Sequence, residues 1–161
     1  MLVVVMMFEP RNLDSENKLN FSRTMTIQEI KVMLVEDNPE DVAFTRIMLR
    51  KNKLDRHLAL AENGKMAIQA LEDLAEDESK IPDLILLDIN LPDISGIDLL
   101  TRLRSDRRFA KISVVMLTGS NVDDDIQKSY DLGASTYLVK PISNDSLMLV
   151  IRTLFDLTSG T

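Results

Sequence analysis

Three carboxylates, one hydroxyl and one ammonium stand where short aliphatic runs stop. Leu84-Ile85-Leu86-Leu87 ends at Asp88, the run through Val35 ends at Glu36-Asp37, Met116-Leu117 ends at Thr118, and Tyr137-Leu138-Val139 ends at Lys140. Such runs read as strands buried on both faces. In an open parallel sheet, the residues just beyond the carboxyl ends of the strands line the crevice where ligands bind. If the four runs are neighbours, all five groups share one rim. Three carboxylates gathered there would repel one another and raise their own pKa values unless a cation sat among them. The chain has no cysteine and a single histidine, His57, so a zinc site built from nitrogen and sulfur is not available. The cation that suits an oxygen cage is Mg²⁺, which keeps several waters and accepts oxygens from a phosphate. A carboxylate facing it is a nucleophile toward phosphorus. The Thr118 hydroxyl and the Lys140 ammonium have the character needed to hold phosphoryl oxygens.

The elements that must bring these groups together can be read from the periodicity. Lys31 to Val35 is a first buried strand. Asn38-Pro39-Glu40-Asp41 is a helix start, since Asn caps, proline is tolerated at the first helical position, and an acid at the third can reach back to the cap. Ala43, Phe44, Ile47 and Met48 repeat there at helical spacing. His57 to Ala61 reads as a short strand, with His57 half-buried at the sheet edge. Gly64 to Asp77 reads as a helix with Ala67, Ala70, Leu71 and Leu74 on one face. After Asp88, the turn Asn90 to Gly96 leads to a helix with Leu99, Leu100 and Leu103 facing inward. Ser113 to Leu117 is the next strand. Ser120 with Asp123, or Asn121 with Asp124, can cap the helix that follows, and the Asp123-Asp124-Asp125 run suits a helix N-terminus. Gly133 closes that helix, Thr136 to Val139 is the last strand, and a final helix runs from Ser143 or Asn144 to Asp156, burying Leu147, Val150, Ile151 and Leu154. Five strands alternating with five helices predict an α/β fold, a doubly wound parallel sheet covered on both faces.

Composition bounds the rest. The 161 residues, 45% of them hydrophobic, suit one domain with a substantial aliphatic core. The expected division is an N-terminal extension over 1–30, a domain over 31–156 and a short tail over 157–161. A formal charge of -7 argues against nonspecific binding to nucleic acid or to an anionic membrane surface. No apolar run approaches the roughly 18 to 20 residues that span a bilayer. The Val3-Val4-Val5-Met6-Met7-Phe8 run lacks the flanks of a secretory signal, so a cytoplasmic setting is expected. That run reads as an added edge strand, a clamp onto a partner, or a segment without order. Met25, just before the first convincing strand, offers an alternative start that would still give a complete domain.

Val35-Glu36-Asp37-Asn38-Pro39-Glu40-Asp41, Leu86-Leu87-Asp88-Ile89-Asn90-Leu91-Pro92, Met116-Leu117-Thr118-Gly119 and Tyr137-Leu138-Val139-Lys140-Pro141, in this order, resemble the receiver domains of two-component response regulators from about Lys31 to Phe155. The first of these segments and Ser129-Tyr130-Asp131-Leu132-Gly133-Ala134-Ser135-Thr136-Tyr137 more narrowly resemble stand-alone receivers of the phytochrome-associated kind. The resemblance implies a flavodoxin-like sheet in strand order 2-1-3-4-5. It also implies phosphorylation of Asp88 by a histidine kinase, a phytochrome-type kinase among the candidates, or by a histidine phosphotransfer protein. By the same resemblance Asp37 contacts Mg²⁺ directly, Glu36 mostly through water, and Asn90 through its backbone carbonyl. Thr118 is then the switch hydroxyl, Tyr137 the switch aromatic and Lys140 the phosphoryl-contacting lysine, with Lys140-Pro141 a cis peptide. Asn90 and Ser120 occupy positions that in the family influence attack by water, and both are polar and of modest size, so an unusually protected phosphate is not expected. The thirty-residue extension departs from the family pattern and leaves homodimerisation and its mode open.

The leading expectation is a single-domain response regulator that takes a phosphoryl group onto Asp88, loses it again by autodephosphorylation and signals by protein contact, without a DNA-binding output domain. It is not expected to be a metabolic enzyme in the ordinary sense. A constitutive docking module that keeps the pocket, acting through the Val3 to Phe8 patch, is an alternative. A phosphohydrolase of the haloacid dehalogenase kind is another, although that chemistry expects a second aspartate where Asn90 stands and a cap domain.

Overall fold

A computed structural model of the chain describes residues 25–119 and 123–157. Five strands, β1 (Val32–Val35), β2 (Ala59–Ala61), β3 (Leu84–Asp88), β4 (Ser113–Thr118) and β5 (Thr136–Val139), alternate with five helices, α1 (Pro39–Lys51), α2 (Gly64–Leu74), α3 (Gly96–Ser105), α4 (Asp123–Asp131) and α5 (Asn144–Leu154). The strands form one parallel sheet in the order β2-β1-β3-β4-β5, the flavodoxin-like arrangement that the resemblance implied. The register places Val35 beside Leu87, Asp88 beside Leu117, and Thr118 beside Val139, so the strand ends meet at one edge.

Side chains alternate across the sheet, and the two faces carry separate cores. Leu84 and Leu86 of β3 join Leu34, Leu117 and Leu138 beneath α1 and α5, whereas Ile85 and Leu87 join Met33, Val114 and Met116 beneath α2 and α3. All five residues of β3 are buried, as expected for the central strand. Asp88 continues the alternation of Leu84 and Leu86. It therefore points to the side where α1 and the β5–α5 connection converge.

The helices begin and end largely where their caps direct. Asn38 accepts from the backbone N–H groups of Glu40 and Asp41, Ser95 from that of Asp98, and Ser143 from that of Ser146. Gly133 adopts φ +95° behind α4, and Lys140-Pro141 is cis. The residues named as α4 caps, Ser120 and Asn121, and the Val3 to Phe8 run lie outside the described residues. No helix among the described residues is long and apolar enough to cross a membrane.

Four local expectations need correction. In α1 the buried positions are Thr45, Met48 and Leu49, and Phe44 and Ile47 are 52% and 67% exposed. The apolar residues of α1 cover more than one face, and the sheet claims the stripe that also contains half-buried Val42. β2 starts at Ala59, which leaves His57 exposed before the strand, because only Ala59 to Ala61 find partners on β1. The helix α2 stops at Leu74, since Asp77 caps a separate 3-10 turn, Glu78–Lys80, through Ser79. Along α5 the fully buried residues are Leu147, Met148, Val150 and Ile151, and Leu154 is half-buried at the last turn.

Candidate functional site

The carboxyl edge of the sheet holds a cleft of about 310 Å³ lined by Glu36, Asp37, Asn38, Asp41, Asp88, Asn90, Gly119 and Lys140. Glu36 and Asp37 follow β1 directly, Asp88 is the last residue of β3, Asn90 is two beyond it, and Lys140 follows β5. The fold therefore brings together, across more than a hundred residues of chain, four of the five groups picked out at the strand ends, Glu36, Asp37, Asp88 and Lys140. Carboxylate oxygens of Glu36, Asp37 and Asp88 all lie within 4.8 Å of one another, an arrangement able to hold a divalent cation.

Lys140 occupies the middle of this acidic group. Its Nζ donates to Glu36 Oε2 at 2.6 Å, to Asp88 Oδ2 at 2.7 Å and to Asp41 Oδ2 at 3.0 Å. An ammonium has three N–H donors, and all three are used. Burial disfavours the charge on Lys140, but the bonds to Asp88, Glu36 and Asp41 outweigh that and hold its pKa above the ordinary lysine value. Glu36 is 1% exposed. Burial, and then the hydrogen-bonded Asp88 carboxylate, push its pKa up to about 7, against the opposing pull of Lys140 and of the Asn38 N–H. Asp37 is exposed at the cleft mouth, and Asp88 lies buried behind it. The site thus grades from two buried carboxylates, Glu36 and Asp88, to the exposed one of Asp37.

Backbone contacts fix Asp88 further. Its Oδ1 accepts from the Asn90 N–H at 2.9 Å, so its two oxygens have different partners. The β3–α3 loop is pinned at both ends. Gly96 N–H donates to Ile89 O at 2.8 Å. The Asp93 carboxylate accepts from the N–H groups of Gly64 and Lys65 at 2.9 and 2.8 Å, closing the loop onto the start of α2.

Thr118 is buried at the end of β4, and its carbonyl accepts from the Lys140 N–H at 2.7 Å, which couples β4 to the residue that carries the ammonium. Thr118 is not among the residues lining the cleft, where Gly119 takes that place. Tyr137 is half-buried on the α2/α3 side of the sheet and meets Tyr130 of α4 edge to face, with ring centroids 6.1 Å apart. The Tyr130 hydroxyl lies 3.3 Å from Thr136 Oγ1. Tyr137 is therefore joined to α4 and stands apart from the acidic cleft.

Asp41 is the site residue that reading the sequence misses. It looks like a capping acid, but the Asn38 N–H that it would reach is taken by Glu36 Oε1 at 3.1 Å, and its carboxylate turns to Lys140 instead. The available signal was its spacing: it lies four residues beyond Asp37, on the first turn of a helix that starts at the strand end.

Comparison with known proteins agrees with this geometry. The model of the response regulator receiver domain matches residues 32–152. The chain is 36% identical over 122 residues to response regulator Rcp1 of Synechocystis sp., covering 75% of this chain and 83% of that protein. The solved structure of the Mn²⁺-bound form of Rcp1 superposes with a TM-score of 0.64 at 32% identity, covering 81% of this chain and 97% of the other. The structure of the phosphorylated cyanobacterial phytochrome response regulator RcpA gives a TM-score of 0.68 at 31% identity, covering 81% and 96%.

Proposed function

The chain belongs to the response regulator receiver family, and from that premise we propose that it is a response regulator whose Asp88 accepts a phosphoryl group from a phosphohistidine donor. The observation that carries this reading is the meeting of the Glu36, Asp37 and Asp88 oxygens within 4.8 Å beside the Lys140 ammonium in an open cleft. Mg²⁺ suits this oxygen set, and Glu36, Asp37, Asp88 and the Asn90 carbonyl would hold it. Its contribution when bound is to neutralise charge on the phosphoryl oxygens.

The remaining chemistry belongs to the protein. An Asp88 oxygen forms a bond to phosphorus as the bond from phosphorus to the donor imidazole nitrogen breaks, and the imidazole keeps the electron pair. Lys140 donates to a phosphoryl oxygen, and the Thr118 hydroxyl turns toward another. Hydrolysis reverses the modification: water adds to phosphorus, the bond to Asp88 breaks, and the carboxylate and inorganic phosphate are restored. Movement of Thr118 reaches β5 through its carbonyl bond to Lys140, and movement of Tyr137 reaches α4 through Tyr130. The signal is then a population shift on the α4–β5–α5 face, read by a protein partner.

Residues 31–156 constitute the receiver domain in this reading, with 1–30 as an extension and 157–161 as a tail, working in the cytoplasm. The donor is a histidine kinase or a histidine phosphotransfer protein. The likeness to a phytochrome response regulator favours a kinase of the phytochrome type. Exposed Phe44 and Ile47 offer apolar surface on the helix that starts beside the cleft. The net charge of -7 supports a protein partner over nucleic acid. The test is intact-mass measurement after incubation with Mg²⁺ and acetyl phosphate. One added phosphoryl group in the wild type and none in Asp88→Asn is expected, and no addition to the wild type with any donor would overturn the reading.

A further inference from the structure

We propose that Asp41 is a positioning residue that takes over the Lys140 ammonium when a divalent cation engages Glu36, Asp37 and Asp88. This deepens the reading above and rests on its cation site. Two of the three acceptors of Lys140, Glu36 and Asp88, belong to the carboxylate group able to hold a cation, and the third, Asp41, does not. A cation drawing on the oxygens of Glu36 and Asp88 both competes for those lone pairs and repels the ammonium. Without another acceptor, the four-carbon side chain of Lys140 would either swing to water or stay and oppose the cation.

Asp41 is placed to prevent both. It sits on the first turn of α1, where its own N–H is bonded to the Asn38 side chain at 3.1 Å, so its backbone is held independently of the lysine. Its side chain is 42% exposed, whereas those of Glu36 and Asp88 are buried, so Asp41 meets the lysine from the solvent side of the cleft, outside the carboxylate group that a cation would engage. The hand-over keeps Lys140 at the cleft wall on Asp41, with the two N–H groups now given to Glu36 and Asp88 released for phosphoryl oxygens.

The experiment is a double-mutant cycle on Mg²⁺ affinity, measured by calorimetry on the full chain for wild type, Asp41→Ala, Lys140→Met and the double variant, with thermal melts to verify folding. Removing a carboxylate weakens cation binding through space in either background, by about two- to threefold. The hand-over operates only where Lys140 is present, so Asp41→Ala should weaken Mg²⁺ binding by about tenfold with Lys140 and by no more than about threefold in Lys140→Met. Asp41→Asn, which keeps an oxygen acceptor, should fall between wild type and Asp41→Ala. Equal fold-changes in the two backgrounds, or no change in either, would overturn the role of Asp41 while leaving the cation site intact. A wild type with no saturable Mg²⁺ binding would overturn both together.

Discussion

Gly96 offers the sharpest test of how the fold positions Asp88. It opens α3, and a Cβ added there would lie 2.2 Å from the Asp88 carbonyl oxygen and 2.8 Å from Ile89 Cα, where ordinary contact begins at 3.4 Å. Its backbone torsion is unexceptional, so the need for glycine comes from close approach of two backbones rather than from a left-handed conformation. Both clashing atoms are main chain, and the Gly96 N–H bond to Ile89 O holds them together at 2.8 Å. Gly96→Ala must therefore move the start of α3 away from the strand end by about 1 Å, at the upper end of overpacking costs, about 3 kcal/mol. For a domain of this size that lowers Tm by about 10 °C. The displaced loop also carries Asn90, whose N–H fixes Asp88 Oδ1, so Mg²⁺ affinity should fall with stability. Differential scanning calorimetry with and without Mg²⁺ measures both effects. Gly119→Ala is the control, because its Cβ would meet nothing within 4 Å among the described residues, and it should change stability by no more than about 0.5 kcal/mol. A Gly96→Ala melting point within about 2 °C of wild type would refute the close-approach reasoning.

Two other predictions concern charge. Lys140→Met leaves Glu36 and Asp88 uncompensated in a mostly buried site, and should cost about 3 kcal/mol at pH 8 in the absence of divalent cations. Added Mg²⁺ should recover much of that loss, so the rise in Tm on adding Mg²⁺ should be larger for the variant than for wild type, and an equal or smaller rise would count against the shared site. The pH dependence follows from Glu36, whose pKa is pushed up to about 7, above its ordinary value, by burial and by Asp88. Below that pH the protonated form prevails and the proton must leave before the carboxylate can serve a cation, so apparent Mg²⁺ affinity should weaken by about tenfold between pH 8 and pH 6. Calorimetric titrations across that range should show affinity levelling off above pH 8, and a flat profile would contradict the assignment.

Much of this arrangement was legible because burial on both faces leaves a strong mark. The aliphatic runs of β1, β3, β4 and β5 end within a residue of where pattern reading ends them, and the polar residue that follows each one marks the rim. Amphipathic detail was harder. Ala43, Phe44, Ile47 and Met48 have good helical spacing, but only tertiary contact decides which part of a broad apolar surface meets the sheet, and it chose Thr45, Met48 and Leu49. The two-residue error at His57 has a similar cause, since an edge strand is bounded by its one partner rather than by its own pattern. Asp41 was hidden by competition: its place in a capping sequence is genuine, and the choice between cap and Lys140 depends on Glu36 already holding the Asn38 N–H. The pinning of the β3–α3 loop by Asp93 joins residues 28 and 29 positions apart, which no local signal announces.

Asp88, and no other carboxylate of the cleft, is the proposed phosphoryl acceptor. An acyl phosphate is reduced by borohydride to the alcohol, so an aspartyl phosphate is converted to homoserine where it formed. The chain treated with Mg²⁺ and acetyl phosphate, reduced and mapped by peptide mass spectrometry, should carry homoserine at position 88 alone. Reduction at position 36, 37 or 41 with Asp88 intact, or no reduction anywhere in a chain that binds Mg²⁺, would contradict the account.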